Sequence, residues 1–530
     1  MNDNEFFQDA PRLSNQFNDD PVLRSWLQAH LPAAVLSAIE PGLMRLGARA
    51  AGDMLEMAAD AQAHPPRHVP YDAWGRRIDH IEVAAGWQAL HRVAAEEGIV
   101  ATAYERQHGA WSRVHQCARL YLYNPSSAIC SCPMAMTDGA ARVIELYGDE
   151  TLKQRVLPRL ISRDPALMWT SGQWMTERTG GSDVSGTTTE ARREGAGFAL
   201  YGTKWFTSAT TSEVALTLAR DPDVAGKLSL FCLELRNAAG GLNNIFLHRL
   251  KDKLGTRALP TAELTLQGTP AVRIGEAGKG VRTIATVLNI TRLYNAVSAV
   301  SYMRRGLALA QDYAQRRRAF GKLLIEHPLH RETLADLDCE FTGAFHLVFE
   351  LAVLVGREET GVATEAEKAL LRLLTPVAKL YTGKQAIAVA SEVLECFGGQ
   401  GYIEDTGLPA LLRDCQVLSI WEGTTNVLSL DVLRVLEQTE ALQIFAADTR
   451  QRLEPVRKPE LQDCLQNALT SLAELEAWST NAASAGRDVL ETGARRFAFS
   501  LARIRIAALL VEGAETGVVD ASVPRRWCRK

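Results

Sequence analysis

The sequence predicts an α+β fold, mainly α: a helical segment, a central antiparallel sheet, a helical bundle, and one further helical segment at the end. Three observations predict it. At 530 residues the chain has room for several domains of about 150 residues each. Its 47% apolar and 23% charged residues are ordinary for a globular chain. The spacing of apolar residues changes near residue 166 and again near residue 276.

Residues 1–165 read as mostly helical, with apolar residues at three- and four-residue intervals over 22–61 and 84–122. Between those stretches HPPRHVPYDAWGRRID (64–79) carries Pro, Gly and Arg and cannot be one regular helix. Residues 166–275 change character. FALYGTKWFTS, VALTLAR, LSLFCLEL, AELTLQG and AVRIG are short, rich in β-branched and aromatic residues, and separated by Gly, Asn, Pro and Asp, which describes an antiparallel sheet. Residues 276–440 return to helical spacing. The run from Gly280 reads as one long helix of the kind a four-helix bundle needs. Residues 441–530 are a last helical segment with nearly balanced charge.

Lys and Arg number 58 and Asp and Glu 62, so the net charge of −4 gives no support to binding nucleic acid or membrane through overall charge. The first twenty residues are polar and acidic, unlike an export signal, and charges interrupt the longest apolar stretches. The expectation is a cytoplasmic protein with no transmembrane helix. The nine cysteines form no CxxC pair, Cys130-Ser-Cys132 being the nearest approach. They read as reduced, mostly buried thiols, with no metal site.

Two stretches carry the chemistry. MTERTGGSDV (175–184) puts the Thr176 hydroxyl before Gly180, Gly181, Ser182 and Asp183. Paired glycines admit an anion close to the backbone, and neighbouring N–H and hydroxyl groups donate to phosphate or ring oxygens. IWEGTTN (420–426) sets Glu422 between bulky Ile420-Trp421 and the small residues Gly423-Thr424-Thr425. Apolar bulk against a carboxylate penalises its charged form and moves it toward the working range of a general base.

With GTKWFTS (202–208), RRAFGKLL (317–324) and FGGQGY (397–402), these stretches resemble the acyl-CoA dehydrogenase family in order and spacing. NQF (15–17), YDAWGRRID (71–79), KDKLGTR (251–257) and LDVLRVL (430–436) resemble its AidB-like, alkylation-response branch. The resemblance implies the family fold, FAD as cofactor and an acyl-CoA substrate of medium, long or unusual chain. It also implies a homotetramer in fatty acid metabolism that passes electrons to an electron-transfer flavoprotein.

By that resemblance Glu422 is the base, and Arg434 a cation behind it; the alternative for Arg434 is a surface ion pair. Met175 and Thr176 meet the flavin pyrimidine edge, with Gly181 and Ser182 beside them. Phe206, Thr207 and Ser208 fall where the family places an aromatic plane and a hydroxyl near N5, although Trp205 and Phe206 also read as sheet-core aromatics. Trp421, Thr424 and Asn426 close the flavin site, and Ser182 and Trp421 also face substrate. Arg317 matches an arginine that reaches the pyrophosphate of a neighbouring subunit's flavin, with Phe320 packing by that cofactor; Arg316 and Arg318 are expected to face solvent. Gly398, Gly399 and Gly401 approach the adenine half, where Glu395 replaces the usual glutamine. Arg292 matches a residue that orients acyl-CoA, but Asn289 stands where an acid is usual, and helix packing is the alternative.

A second reading is a DNA-associated flavoprotein that limits alkylation damage and dehydrogenates weakly. It rests on Arg495, Arg496 and Arg503, within about 100° of one another on a helix, and on the tail PRRWCRK. The plain alternative is a solvated basic face and a frayed tail. A third reading, sequestration of acyl-CoA without turnover, leaves the intact Glu422 without a use.

Overall fold

A computed structural model describes residues 8–195 and 197–529 of the chain. Its contacts divide into two compact units, one from residues 52–107 and 126–294, the other from residues up to 51, 108–125 and 295 onward.

The first unit is built on a seven-stranded sheet: β3 (Ser171–Gln173), β4 (Glu190–Glu194), β5 (Gly197–Ser208), β6 (Val214–Arg220), β7 (Leu228–Glu234), β8 (Ile245–Leu250) and β9 (Thr261–Ile274). Strands β6, β4, β5, β9 and β7 pair in a closed ring, while β3 pairs with β6 and β8 with β9. Most pairings are antiparallel as expected, but β3–β6 and the single bridge β4–β6 are parallel. Closing a ring of five strands forces the β4–β6 exception, since an odd ring cannot be antiparallel throughout. VALTLAR is apolar throughout because β6 is buried on both faces. Ala215 and Ala219 join Trp174, Phe198, Phe231 and Leu264 on one side. Leu216 and Leu218 join Ile144, Leu230 and Ile284 on the other.

The connection expected at 64–79 folds into a hairpin that runs on to residue 82, of β1 (Arg67–Tyr71) and β2 (Arg77–Glu82). An Asp72 carboxylate oxygen accepts the N–H groups of Trp74 and Arg76, and Gly75 (φ +79°) completes the turn. Asp79, buried, accepts from Arg77 Nε (2.7 Å), His68 Nε2 (2.9 Å) and the Leu247 N–H (3.2 Å), anchoring the hairpin to β8. YDAWGRRID is therefore a structural signature.

The second unit is a bundle of Gly280–Arg316 (its later turns), Pro328–Glu359, Glu365–Cys396 and Thr425–Gln438. The long helix predicted from Gly280 forms as one element. Thr364 and Glu367 make a capping box that starts Glu365–Cys396. Pro328–Glu359 is long and apolar enough to cross a membrane, contrary to the expectation that charges interrupt every such run, yet 94% of its most apolar window lies inside the protein, as befits a core helix. NQF is a strap: Asn15 Nδ2 donates to the Met44 carbonyl, and the Gln16 N–H to the Gly47 carbonyl. A Cβ on Gly47 would fall 2.5 Å from Asn15 Oδ1.

The last segment forms Ala441–Leu453, Gln462–Ala485, Arg487–Thr516 and Ser522–Trp527. Arg487–Thr516 packs against Pro328–Glu359 so closely that a Cβ on Gly343 would lie 2.5 Å from Ile506 Cγ2. Arg505, fully buried, and Arg452 both reach Glu350; Arg505 also holds Asp448, and Arg452 holds Glu512.

Candidate active site

The flavin-contact residues of the first unit lie where an irregular segment runs onto β5. After β3, Trp174 is buried and its Nε1 donates to the Ser208 carbonyl (3.2 Å). The Trp205 N–H donates to the Thr176 carbonyl (3.0 Å), which ties Met175-Thr176-Glu177 to β5. A Cβ on Gly181 would fall 2.4 Å from Thr176 Oγ1, so only glycine lets that hydroxyl sit there; Gly180, at φ +134°, makes the turn. Ser182 is exposed.

Strand alternation sorts the next three residues. Phe206 is 51% exposed and the Ser208 hydroxyl lies 3.1 Å from that of Thr261. Thr207 points the other way: it is buried and donates to the Ala262 carbonyl (2.8 Å). The Thr207 hydroxyl therefore braces the sheet.

An ion pair the sequence reading overlooked sits behind this segment. Lys204, fully buried, donates to Glu177 Oε1 at 2.8 Å, and Glu177 also accepts the N–H and hydroxyl groups of Thr188 and Thr189. Burial pushes the Glu177 carboxyl up, but Lys204 and the threonine hydroxyls outweigh it and hold it at about 2. The available signal was a lysine at an interior position of an apolar strand.

In the second unit, IWEGTTN joins Leu408–Leu418 to Thr425–Gln438. Glu422 is half-buried and adopts φ +58°, a left-handed conformation uncommon for a side-chain-bearing residue, and Gly423 follows at φ +103°. Lys379, fully buried within Glu365–Cys396, donates to the Gly423 carbonyl at 2.7 Å. Trp421 is half-buried, and Thr424 and Asn426 are exposed at the start of the following helix.

Arg434 makes an ion pair on its own helix. Its side chain is 54% exposed and lies 3.7 Å from Asp431 on its own helix, which Arg372 also meets at 3.1 Å. This is a helix-surface ion pair. Arg292 is buried in the long helix.

RRAFGKLL folds as a tight two-residue turn between Arg318–Ala319 and Lys322–Leu323, leaving Phe320 at its tip, 97% exposed. Arg317 beside it is exposed, whereas Arg316, expected in solvent, is partly buried against Asp312 and the Ala10 carbonyl. The reason is register: Arg316 lies four residues after Asp312, on the helix face that the N-terminal strap covers. Gly398 and Gly399 have open space where a Cβ would be, while Gly401 abuts the Leu394 carbonyl and Glu395 is exposed.

The basic residues of the last segment divide between exposed ones, Arg495 among them, and ones held by neighbours. Arg503 lies over the Trp527 ring (5.2 Å) and Arg495 near that of Phe499 (5.9 Å); Arg496 is exposed. Among its described residues the tail is packed: Trp527 is buried and Arg526 holds Glu332 and Asp336. Trp527 supplies the apolar anchor that the arginine count concealed.

The family model described as acyl-CoA dehydrogenase, C-terminal domain, matches residues 278–437, and that of the middle domain matches 172–269. Residues 9–165 match the adaptive response protein AidB N-terminal domain, and 440–530 the acyl-CoA dehydrogenase 11 C-terminal domain-like family. Acyl-CoA dehydrogenase family member 11 of Caenorhabditis elegans is 44% identical over 99% of this chain and 88% of its own length. The chain belongs to the acyl-CoA dehydrogenase family. It is thus an oxidoreductase of a family whose cofactor is FAD.

AidB of Escherichia coli (strain K12) is 35% identical over 73% of this chain and 72% of its own. The crystal structure of Caenorhabditis elegans ACDH-11 in complex with C11-CoA superposes with a TM-score of 0.97 at 43% identity, covering 100% of this chain and 93% of that one. The apo-form of Bd2924 gives 0.89 at 55% identity, covering 97% and 100%. The residues present fit the family's flavin. Hydroxyls stand at Thr176 and Ser208, an open aromatic face at Phe206, open backbone at Gly398 and Gly399, and an exposed guanidinium at Arg317.

Proposed function

We propose that the chain oxidises acyl-CoA thioesters to α,β-enoyl-CoA, with Glu422 as the base that takes the α-proton. The observation that carries this reading is the backbone of Glu422. A left-handed conformation at a residue with a side chain costs on the order of 1–3 kcal/mol and persists where its surroundings impose it, most often at functional sites. Here Gly423 continues the turn and buried Lys379 fixes its carbonyl.

FAD, when bound, supplies the acceptor for the β-hydride. Met175, Thr176, Gly181, Ser182, Phe206 and Ser208 would hold its ring; Trp421, Thr424 and Asn426 are the further flavin contacts that the family resemblance implies. Arg317, Phe320, Gly398 and Gly399 would serve the pyrophosphate and adenine of a neighbouring subunit's cofactor in a homotetramer. A guanidinium fork suits a diphosphate, and a fully bared phenylalanine on a rigid turn suits a contact made by another molecule. Arg292 would orient the acyl-CoA. The C11-CoA complex of ACDH-11 supports medium to long chains as substrates. An electron-transfer flavoprotein is the proposed acceptor.

Glu422→Gln tests the assignment. The amide keeps the side-chain volume but cannot take the proton, and loss of a general base costs about 10² to 10⁴-fold. Mixed anaerobically with a panel of acyl-CoAs, the variant should stay yellow under conditions that bleach the native flavin, with FAD content unchanged. Bleaching at the native rate would rule out Glu422 as the base.

A further inference from the structure

We infer that Lys251 raises the reduction potential of the bound flavin, acting as a fixed positive charge against Trp205 and Phe206. The inference rests on the FAD reading above and concerns residues of the first unit alone.

Lys251 opens the loop after β8, and its N–H donates to the Thr261 carbonyl at 2.8 Å, which fixes its place beside β9. Its ammonium lies 2.6 Å from Glu263 Oε1, 3.9 Å from the Trp205 ring centroid and 4.6 Å from that of Phe206. Only 11% of the side chain is exposed, so the charge is weakly screened. Glu263 does not neutralise the group, because the same carboxylate also takes Arg249 at 2.8 Å. Two cations share one carboxylate, so Glu263 does not cancel both. Arg178 adds a further guanidinium 5.9 Å from the Trp205 ring.

A second lysine of the same loop repeats the pattern. Lys253 Nζ is 3.2 Å from Thr261 Oγ1, whose hydroxyl is 3.1 Å from that of Ser208. The lysines of KDKLGTR thus stand against the aromatic pair and beside the hydroxyl assigned to the flavin. A lysine serving Glu263 alone would have no reason to lie over two rings, and Arg249 already serves that acid.

The charge has a definite effect on the reaction. The substrate loses its α-proton to Glu422 and a hydride from the β-carbon, forming the C=C bond. A hydride delivered to a neutral flavin brings two electrons and one proton and leaves one extra negative charge on the ring. A positive charge fixed nearby stabilises that state relative to the oxidised one. Lys251 is a positioning residue in this sense, acting through the aromatic pair.

The test is the midpoint potential of the FAD-loaded protein, titrated with reductant and a reference dye in the absence of acyl-CoA. Lys251→Met should move the oxidised-to-reduced ratio at fixed potential about tenfold toward oxidised, about 30 mV for a two-electron couple. Lys251→Arg should stay near the native value. Glu263→Gln, which removes the compensating charge, should move the potential the opposite way. A purely structural role would not give shifts of opposite sign. An unchanged potential in Lys251→Met, or shifts of the same sign in Lys251→Met and Glu263→Gln, overturns the inference. If Lys251→Met loses its FAD, Glu263→Gln carries the test alone, and anything but a rise refutes it. A native chain that takes up no FAD at 1:1 absorbance overturns the cofactor reading itself, a result distinct from unshifted potentials.

Discussion

Removing either member of the Glu177–Lys204 pair should destabilise the first unit and loosen its hold on the cofactor, by unequal amounts. Both side chains are out of water, Lys204 at 0% and Glu177 at 3% exposure. Breaking a buried pair by deleting one partner costs about 3–5 kcal/mol, because the other charge is stranded. Lys204→Met leaves the carboxylate with four donors from Thr188 and Thr189, so about 3 kcal/mol is expected. Glu177→Gln leaves the ammonium with the Leu218 carbonyl at 3.2 Å and only the amide oxygen in the carboxylate's place, so the cost should lie near about 5 kcal/mol. At about 2–4 °C per kcal/mol for a unit of this size, Lys204→Met should lower the apparent Tm by about 6–12 °C. The double variant should recover much of the loss, since replacing a buried pair by uncharged groups is often close to neutral. The pH dependence has a fixed sign. Glu177 is held at about 2, below its ordinary 4.5, so its contribution is complete above about 4.5 and is lost as pH falls toward 2. Thermal unfolding followed by tryptophan and flavin fluorescence, from pH 7 to pH 3, measures all of this. Single variants within about 1 kcal/mol of native, or a double variant as unstable as the sum of the singles, would refute the reasoning.

Arg317→Ala should lower FAD occupancy and weaken oligomers together, since one guanidinium is proposed to serve a neighbour's cofactor; full flavin and unchanged sedimentation would reject the intersubunit role. Arg505→Met strands Glu350 beside Arg452 and leaves Asp448 to Arg452 alone, so about 3 kcal/mol of docking should be lost and residues 441–530 should become the first site of limited proteolysis. Changing Arg495, Arg496 and Arg503 to Glu should leave gel-shift behaviour on duplex DNA unchanged at physiological salt, because two of the three lie over aromatic rings. A native complex at that salt which the triple change abolishes would instead establish the DNA-associated reading.

Much of the architecture was legible because it rests on periodicity. The long helix from Gly280 and the change to short β-branched runs near residue 166 depend on spacing alone. The hairpin at 67–82 was hidden because Asp72, Asp79 and Gly75 create it, and none of these shows in apolar spacing. The parallel pairing of β4 with β6 was hidden because ring closure decides it, and closure is not a local property. At the site, motifs named the residues while geometry assigned their roles. Thr207 and Phe206 are adjacent in GTKWFTS yet face opposite ways, and Arg434 met its acid, Asp431, on its own helix.

The lysines explain how two irregular segments hold still. Neither Met175-Thr176-Glu177 nor Glu422-Gly423 belongs to a helix or strand, so neither has a ladder of its own to fix it. Each is met by a lysine wholly removed from water: Lys204 through the Glu177 carboxylate, Lys379 through the Gly423 carbonyl. Burying an ammonium is costly unless its partners are fixed, so each lysine stabilises only one arrangement of its segment. The desolvation that weakens a lysine as a general stabiliser thereby makes it selective. One holds the residue next to the Thr176 hydroxyl and the other the residue next to the proposed base, where an error of an ångström would matter most to proton and hydride transfer.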